Sequence, residues 1–176
     1  MKKFELTSEF VTFLGKKLFR IKALVSFGDV KEGELGGLVE KEENLDQSGN
    51  AWVYGDARVY GDARVYGNAW VYGNAWVSGD AWVSGDARVY GDAWVSGDAR
   101  VQNCRDYSAT SCFGSENRTT TFFRTKDGGI SVRCGCFYGT LAEFREKVKE
   151  RHGGRRLAKE YLMLADLMEF RLSKDE

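Results

Sequence analysis

From Gly49 to Gln102 one hexapeptide, G-[DN]-A-[WR]-V-[YSQ], recurs nine times without a gap. Asn103 stands where the tenth glycine belongs. A strict short period over this length specifies a solenoid and has to be read before any local propensity. Within each unit Ala and Val lie two residues apart, as at Ala57 and Val59. Side chains two apart on a strand share a face. Ala and Val therefore point inward, and the residues beside them point outward. Gly with Asp or Asn supplies a corner, because these residues tolerate positive φ and turn geometry. Each hexad is one very short strand and one bend. Three bends close a coil of 18 residues, and nine hexads make three coils. Strand spacing stacks the coils at roughly 4.8 Å, so the prism is only about 15 Å tall. It needs caps and neighbours to be stable.

The outward positions sort into three faces. The first carries Trp52, Trp70 and Arg88, with Tyr54, Tyr72 and Tyr90 beside them. The second carries Arg58, Trp76 and Trp94, with Tyr60, Ser78 and Ser96. The third carries Arg64, Trp82 and Arg100, with Tyr66, Ser84 and Gln102. All five tryptophans of the chain are outward. So much contiguous aromatic surface is unusual on a soluble monomer and calls for a cover. Flanking segments, sister subunits and a stacked ligand are all able to supply one.

The hexads resemble the hexapeptide-repeat, left-handed parallel β-helix family. Periodicity alone gives no hand, and left-handed crossovers run against the usual preference. The resemblance implies that hand, and it implies a homotrimer, with ligand sites between neighbouring prisms. The flanks carry a second resemblance. Phe27-Gly28-Asp29-Val30, Gly33, Leu35-Gly36-Gly37 and Glu42-Glu43-Asn44-Leu45 are similar to the lead-in of hexapeptide-repeat proteins found in bacteria and bacteriophages. So are Thr120-Thr121-Phe122-Phe123, Cys134-Gly135-Cys136-Phe137, Gly139-Thr140-Leu141 and His152-Gly153. This resemblance speaks to architecture, and fold does not carry activity.

The expected architecture is mainly β. Residues 1–48 form an N-terminal strand cap and lead-in, 49–102 the solenoid, and 103–176 a hairpin and two helices. Phe19, Ile21 and Ala23 alternate with Arg20 and Lys22 as a strand, and Gly15-Lys16-Lys17 reads as the turn before it. Thr119–Arg124 and Ile130–Phe137 read as the C-terminal hairpin. Thr140-Leu141-Ala142-Glu143 is a capping box that opens a helix, and Gly153-Gly154 stops it. The second helix is apolar on two faces, Leu157/Tyr161/Leu164/Met168 and Met163/Leu167/Phe170. That pattern implies burial on two sides, between the prism and a sister subunit.

Lysine plus arginine equals aspartate plus glutamate, 26 against 26, which argues against a partner bound through nucleic-acid phosphates. No apolar run reaches membrane-spanning length, and Met1-Lys2-Lys3-Phe4-Glu5 lacks a signal-peptide core. The expected setting is cytoplasmic, the host cytoplasm if the protein is phage-encoded. Cys104, Cys112, Cys134 and Cys136 are then free thiols, expected as small buried apolar groups.

The chemistry of the residues points away from catalysis. Acyltransferases of the hexapeptide family use a histidine base. This chain has one histidine, His152, outside the repeat, and lacks their inserted loop. No metal and no cofactor is expected. Cys134-x-Cys136 has the wrong gap for a zinc knuckle, and Asp56, Asp62, Asp80, Asp86, Asp92 and Asp98 read as corner residues bonding their own turns. Two binding surfaces remain. The favoured one is the first face, Trp52, Tyr54, Trp70, Tyr72, Arg88 and Tyr90, suited to stacking a nucleotide or other planar anion. The other is the basic cluster Arg151, His152, Arg155 and Arg156 between the two helices, a candidate anion site. The sequence leads to an oligomeric, non-enzymatic binder of a small anionic ligand. If the protein is phage-encoded, a nucleotide signal of bacterial defence would be a natural ligand for it. A scaffold for another protein and a diverged acyltransferase are the alternatives.

Overall fold

A computed structural model describes residues 1–173, and positions 174–176 of the C-terminal segment lie outside it. The repeat forms nine two-residue strands: β4 (Trp52–Val53), β5 (Arg58–Val59), β6 (Arg64–Val65), β7 (Trp70–Val71), β8 (Trp76–Val77), β9 (Trp82–Val83), β10 (Arg88–Val89), β11 (Trp94–Val95) and β12 (Arg100–Val101). Before them come β1 (Phe4–Phe13), β2 (Lys16–Ala23) and β3 (Leu35–Val39).

Residues 18 apart pair in parallel. Trp52, Trp70 and Arg88 stack as β4-β7-β10, and β6-β9-β12 form a second ladder. The third ladder is longer: β3 precedes β5, β8 and β11, with Val39 opposite Val59. Leu45 bridges to Val65 in the same way. The lead-in therefore supplies an incomplete coil of its own, and the chain is a β-solenoid of about four turns. Every repeat Ala and Val is buried, Ala93 at 1% exposed and the others at 0%. Removing a valine side chain from water contributes about 1.5–3 kcal/mol, so this narrow interior carries the prism. The repeat glycines turn the corners with φ between 57° and 71°.

Gly36 and Gly37 serve a different purpose. A Cβ on Gly36 would sit 2.6 Å from the Val53 carbonyl oxygen, and one on Gly37 would sit 2.8 Å from that of Ala57. The lead-in lies directly on the first coil, and only glycine fits there. β1 and β2 pair through a two-residue turn, Leu14-Gly15, with both residues at positive φ (49° and 77°). Such a turn matches strand twist. It places the bend one position earlier than the Gly15-Lys16-Lys17 pattern suggests.

After the last coil, Asp106 closes the prism. One carboxylate oxygen accepts from the Gln102 and Asn103 amides at 2.8 and 3.0 Å, and Arg124 pairs with the other at 3.3 Å. The expected hairpin is part of a four-stranded antiparallel sheet: β13 (Tyr107–Phe113), β14 (Arg118–Arg124), β15 (Ile130–Cys134) and β16 (Phe137–Thr140). β13 reads YSATSCF, too polar to announce a strand. Phe122 and Phe123, adjacent on β14, point to opposite faces. Phe123 joins the prism core and Phe122 joins the helices. The helices are α1 (Leu141–His152) and α2 (Arg156–Leu172). The Thr140 capping box forms as the sequence indicates, with Glu143 N–H donating to Thr140 Oγ1 at 3.2 Å.

The position of α2 differs from the expected one. Its Tyr161/Leu164/Met168 face packs on α1 and on the far side of the sheet, which separates it from the prism. Met163, Leu167 and Phe170 are exposed, at 71%, 55% and 85%. The cysteines also differ. Cys104, Cys112 and Cys136 are exposed and Cys134 is half-buried. β15 stops at Cys134 and Gly135 turns at φ 58°, so Cys134 and Cys136 do not share a strand face. No described helix is long and apolar enough to cross a membrane.

Candidate functional site

The chain covers much of its own aromatic surface. On the second face, Phe13 at the tip of the β1–β2 hairpin curls down onto the wall. Its ring lies 4.6 Å from Trp76 and 5.8 Å from Tyr60, and the Arg58 guanidinium stacks on it at 4.3 Å. From the other end, Arg133 of β15 lies 3.6 Å over Trp94, and burial pushes its guanidinium down from the usual range. The Trp94 amide donates to Thr121 Oγ1 at 3.0 Å. This face is closed by the flanks.

On the first face the six favoured residues divide. Trp52 points away from the tube, as Ala51 and Val53 require, yet it is fully buried. Phe27 meets it edge-on at 5.4 Å and Phe4 at 6.2 Å. Lys3 anchors that cover by donating to the Ala51 and Ser48 carbonyls at 2.9 and 3.2 Å. Trp52 therefore offers no surface to a ligand. Tyr54, half-buried against Trp70 at 5.4 Å, marks the edge of the cover. Burial raises its phenol, as do the nearby Glu34 and Asp29 carboxylates.

The lower half of the face is open. Arg88 lies 5.0 Å over the Trp70 ring and is exposed. Among the described residues its guanidinium has no hydrogen-bond or ion-pair partner. Tyr72 and Tyr90 stack beside it, centroids 5.3 Å apart and planes within 15°, with Tyr90 53% exposed. Next to Tyr90 a cleft of about 260 Å³ runs along β13, lined by Tyr107, Ser108, Arg171 and one carboxylate, Asp92, which accepts from the Asn74 amide. Tyr107 donates to the Arg88 carbonyl at 2.7 Å, and burial raises its own phenol strongly. Arg171 reaches across from α2 to the Cys104 carbonyl at 3.5 Å. Neither Tyr107 nor Arg171 has a periodic signal that ties it to the first face. A flat anion against Tyr90 would meet Arg88 on one side, with Arg171 and Ser108 in the neighbouring cleft.

The third face is open as well. Trp82, 38% exposed, has Arg100 stacked on it at 4.4 Å and Tyr66 edge-on at 6.0 Å. Arg100 is occupied, donating to the Asp80, Asp98 and Ala99 carbonyls. Above Trp82 a groove of about 610 Å³ separates Arg64 and Tyr66 from an acidic lip, Glu42, Glu43 and Asp46. Its mixed charge suits an anion less well than the first face does.

The basic cluster between the helices also divides. Arg151 and His152 line a cavity of about 230 Å³ between β15, β16 and the helices. His152 stacks on Tyr161, centroids 5.5 Å apart. Arg155 and Arg156 point elsewhere: Arg155 holds the N-cap position of α2 and Arg156 pairs with Glu160 at 3.2 Å. The corner aspartates do not bond their own turns. Asn50 donates to Asn68, Asn68 to Asp86 and Asn74 to Asp92, each at 3.1 Å. Coil spacing brings equivalent corners within reach, and where an Asn stands one coil earlier its amide bonds along the stack to Asp86 or Asp92.

Three overlapping segments, residues 57–73, 69–85 and 81–97, match the YdcK β-solenoid repeat. No curated protein matches the chain. The matched segments fall within the repeat and agree with its stacked coils.

Proposed function

We propose that this chain is a non-catalytic binding protein on a left-handed hexapeptide β-helix, and that its first face captures a small planar anion of nucleotide-like chemistry. The supporting observation is Arg88. It lies over the Trp70 ring at 5.0 Å, exposed, with its donors unpaired among the described residues and the Tyr72–Tyr90 stack beside it. A guanidinium that rests on an indole keeps its N–H donors for a phosphate or carboxylate, which it can bind with two parallel hydrogen bonds. Tyr90 supplies a ring face for a base. The Trp52 end of the same face takes no part, because the N-terminal cap occupies it.

The test is tryptophan fluorescence against nucleoside mono-, di- and triphosphates, cyclic dinucleotides and unphosphorylated nucleosides. A nucleotide should change emission saturably, its nucleoside should bind at least tenfold more weakly, and Arg88→Ala should lose at least tenfold. Silence across the panel at millimolar concentration defeats the reading.

A second reading, self-association into a homotrimer, draws on the exposed Met163, Leu167 and Phe170 of α2. Light scattering at micromolar concentration tests it. A trimer mass that falls to monomer in Leu167→Glu supports it, and a monomer mass in the parent protein ends it.

A further inference from the structure

We infer that the cavity between the C-terminal sheet and helices α1 and α2 is a separate site for a small apolar carboxylate. It is about 230 Å³, below the roughly 300–1,000 Å³ of drug-sized sites, so its occupant is small. The floor is apolar. Phe137 and Phe144 lie 5.6 Å apart, Tyr161 meets Phe144 edge-on at 5.8 Å, and Val148 lines the same cavity. The rim is cationic. Arg118, Lys147 and Arg151 stand around the opening with His152, against one lining carboxylate, Glu116. Glu116 only approaches Arg118, at 4.0 Å, and Lys147 turns to Glu150 at 2.8 Å. Arg151 has no acceptor among the described residues.

The second observation is Tyr161 itself. It is 6% exposed, and its hydroxyl oxygen accepts the Ser115 amide at 3.2 Å. Its own hydrogen meets no acceptor among the described residues. Tyr161 also lines the cavity, so its hydroxyl hydrogen is a donor that a ligand there can use. A carboxylate seated between Tyr161 and Arg151 would take both donors, while its hydrocarbon lies on Phe137, Phe144 and Val148. An apolar tail with an anionic head is the chemistry that this floor and rim share.

His152 is the only histidine of the chain, so its ring protons report on this cavity without overlap. Octanoate should shift them saturably by proton NMR at fixed pH, and acetate and octanol should each bind at least tenfold more weakly. Octanoate should also slow N-ethylmaleimide alkylation of Cys136, which lines the cavity, and leave Cys104 unaffected. Arg151→Gln changes only an exposed residue and should weaken octanoate severalfold, and Val148→Trp should abolish binding. The inference fails if octanoate leaves His152 unmoved. It fails too if octanol matches octanoate, or if Arg151→Gln binds as the parent does.

Discussion

The side-chain amide of Asn68 donates to the Asp86 carboxylate across 3.1 Å, one coil further along the prism. Asn50 donates to Asn68 at the same distance, so this corner forms a continuous ladder. The corner of Asp62, Asp80 and Asp98 has no amide to donate. Lys41 relieves only its top, where a hydrogen bond at 2.8 Å holds Asp62 below the usual carboxylate range. Asp80→Asn should rebuild the ladder by donating to Asp98 and should remove a like-charge neighbour. A gain of about 0.2–1 kcal/mol is expected, as for cross-strand pairs. Asn68→Asp should lose a similar amount. Urea unfolding of both variants checks this, and equal effects of the same sign would refute it.

Phe13 covers the second face from a hairpin tip far away in sequence. Its removal uncovers Trp76 and takes the ring from beneath Arg58. Phe13→Ala should cost about 1–3 kcal/mol through lost aromatic pairs and burial. Tryptophan emission should shift to the red, because Trp76 becomes wet. Unchanged emission and stability would mean that the hairpin tip does not rest on the prism.

Lys3 gives the pH dependence a definite sign. Its ammonium lies over the Phe27 ring at 4.9 Å and donates to buried carbonyls. Burial lowers its pKa from 10.5 to about 8, against the pull of Asp46. Between those two values the unfolded chain holds the proton more tightly than the folded one, so this group's contribution to stability rises with pH. The penalty is complete below pH 8 and fades toward 10.5. The stability difference between the parent and Lys3→Met should therefore move in the parent's favour from pH 8 to 10. A flat difference over that range contradicts the assignment.

Trp52 and Trp70 hold the same place in their hexads, yet one is fully buried and the other partly open. That contrast separates what was legible in the sequence from what was not. Inside the repeat, a residue's direction follows from strand alternation, and its neighbours lie 18 positions away. The inward Ala and Val positions, the Tyr72–Tyr90 column and the Trp70–Arg88 column beside it could therefore be read directly. The cover could not. Phe27 on Trp52, Phe13 on Trp76 and Arg133 on Trp94 depend on how unrepeated segments bend, and no period records that. Arg171 comes to the first face for the same kind of reason, through the packing of α2 on a sheet that β13's polar sequence concealed. Arg151 and His152 were recognisable as a basic pair. The apolar floor beneath them draws on Phe137 from the sheet and Phe144 from the helix.

Val77 and Ser78 are adjacent and point to opposite sides of one wall. Val77 faces the tube and is fully buried. Ser78 faces outward, but it is only 7% exposed and accepts from the Trp94 indole N–H at 3.3 Å. Val77→Asp places an unpaired charge in the tube and should cost several kcal/mol, enough to unfold the prism. On a wet face Ser78→Asp would be nearly neutral. Under the lid made by Phe13 and Arg133 it should cost about 1–3 kcal/mol, because a carboxylate there is desolvated. Ser78→Ala should cost about 1 kcal/mol, since the indole N–H loses its acceptor. Gln102→Asp, at the exposed end of the third face, is the control and should change little. Urea midpoints for the four variants rank the sites. A Ser78→Asp midpoint equal to that of Gln102→Asp would show that water reaches the second face and that its cover does not form.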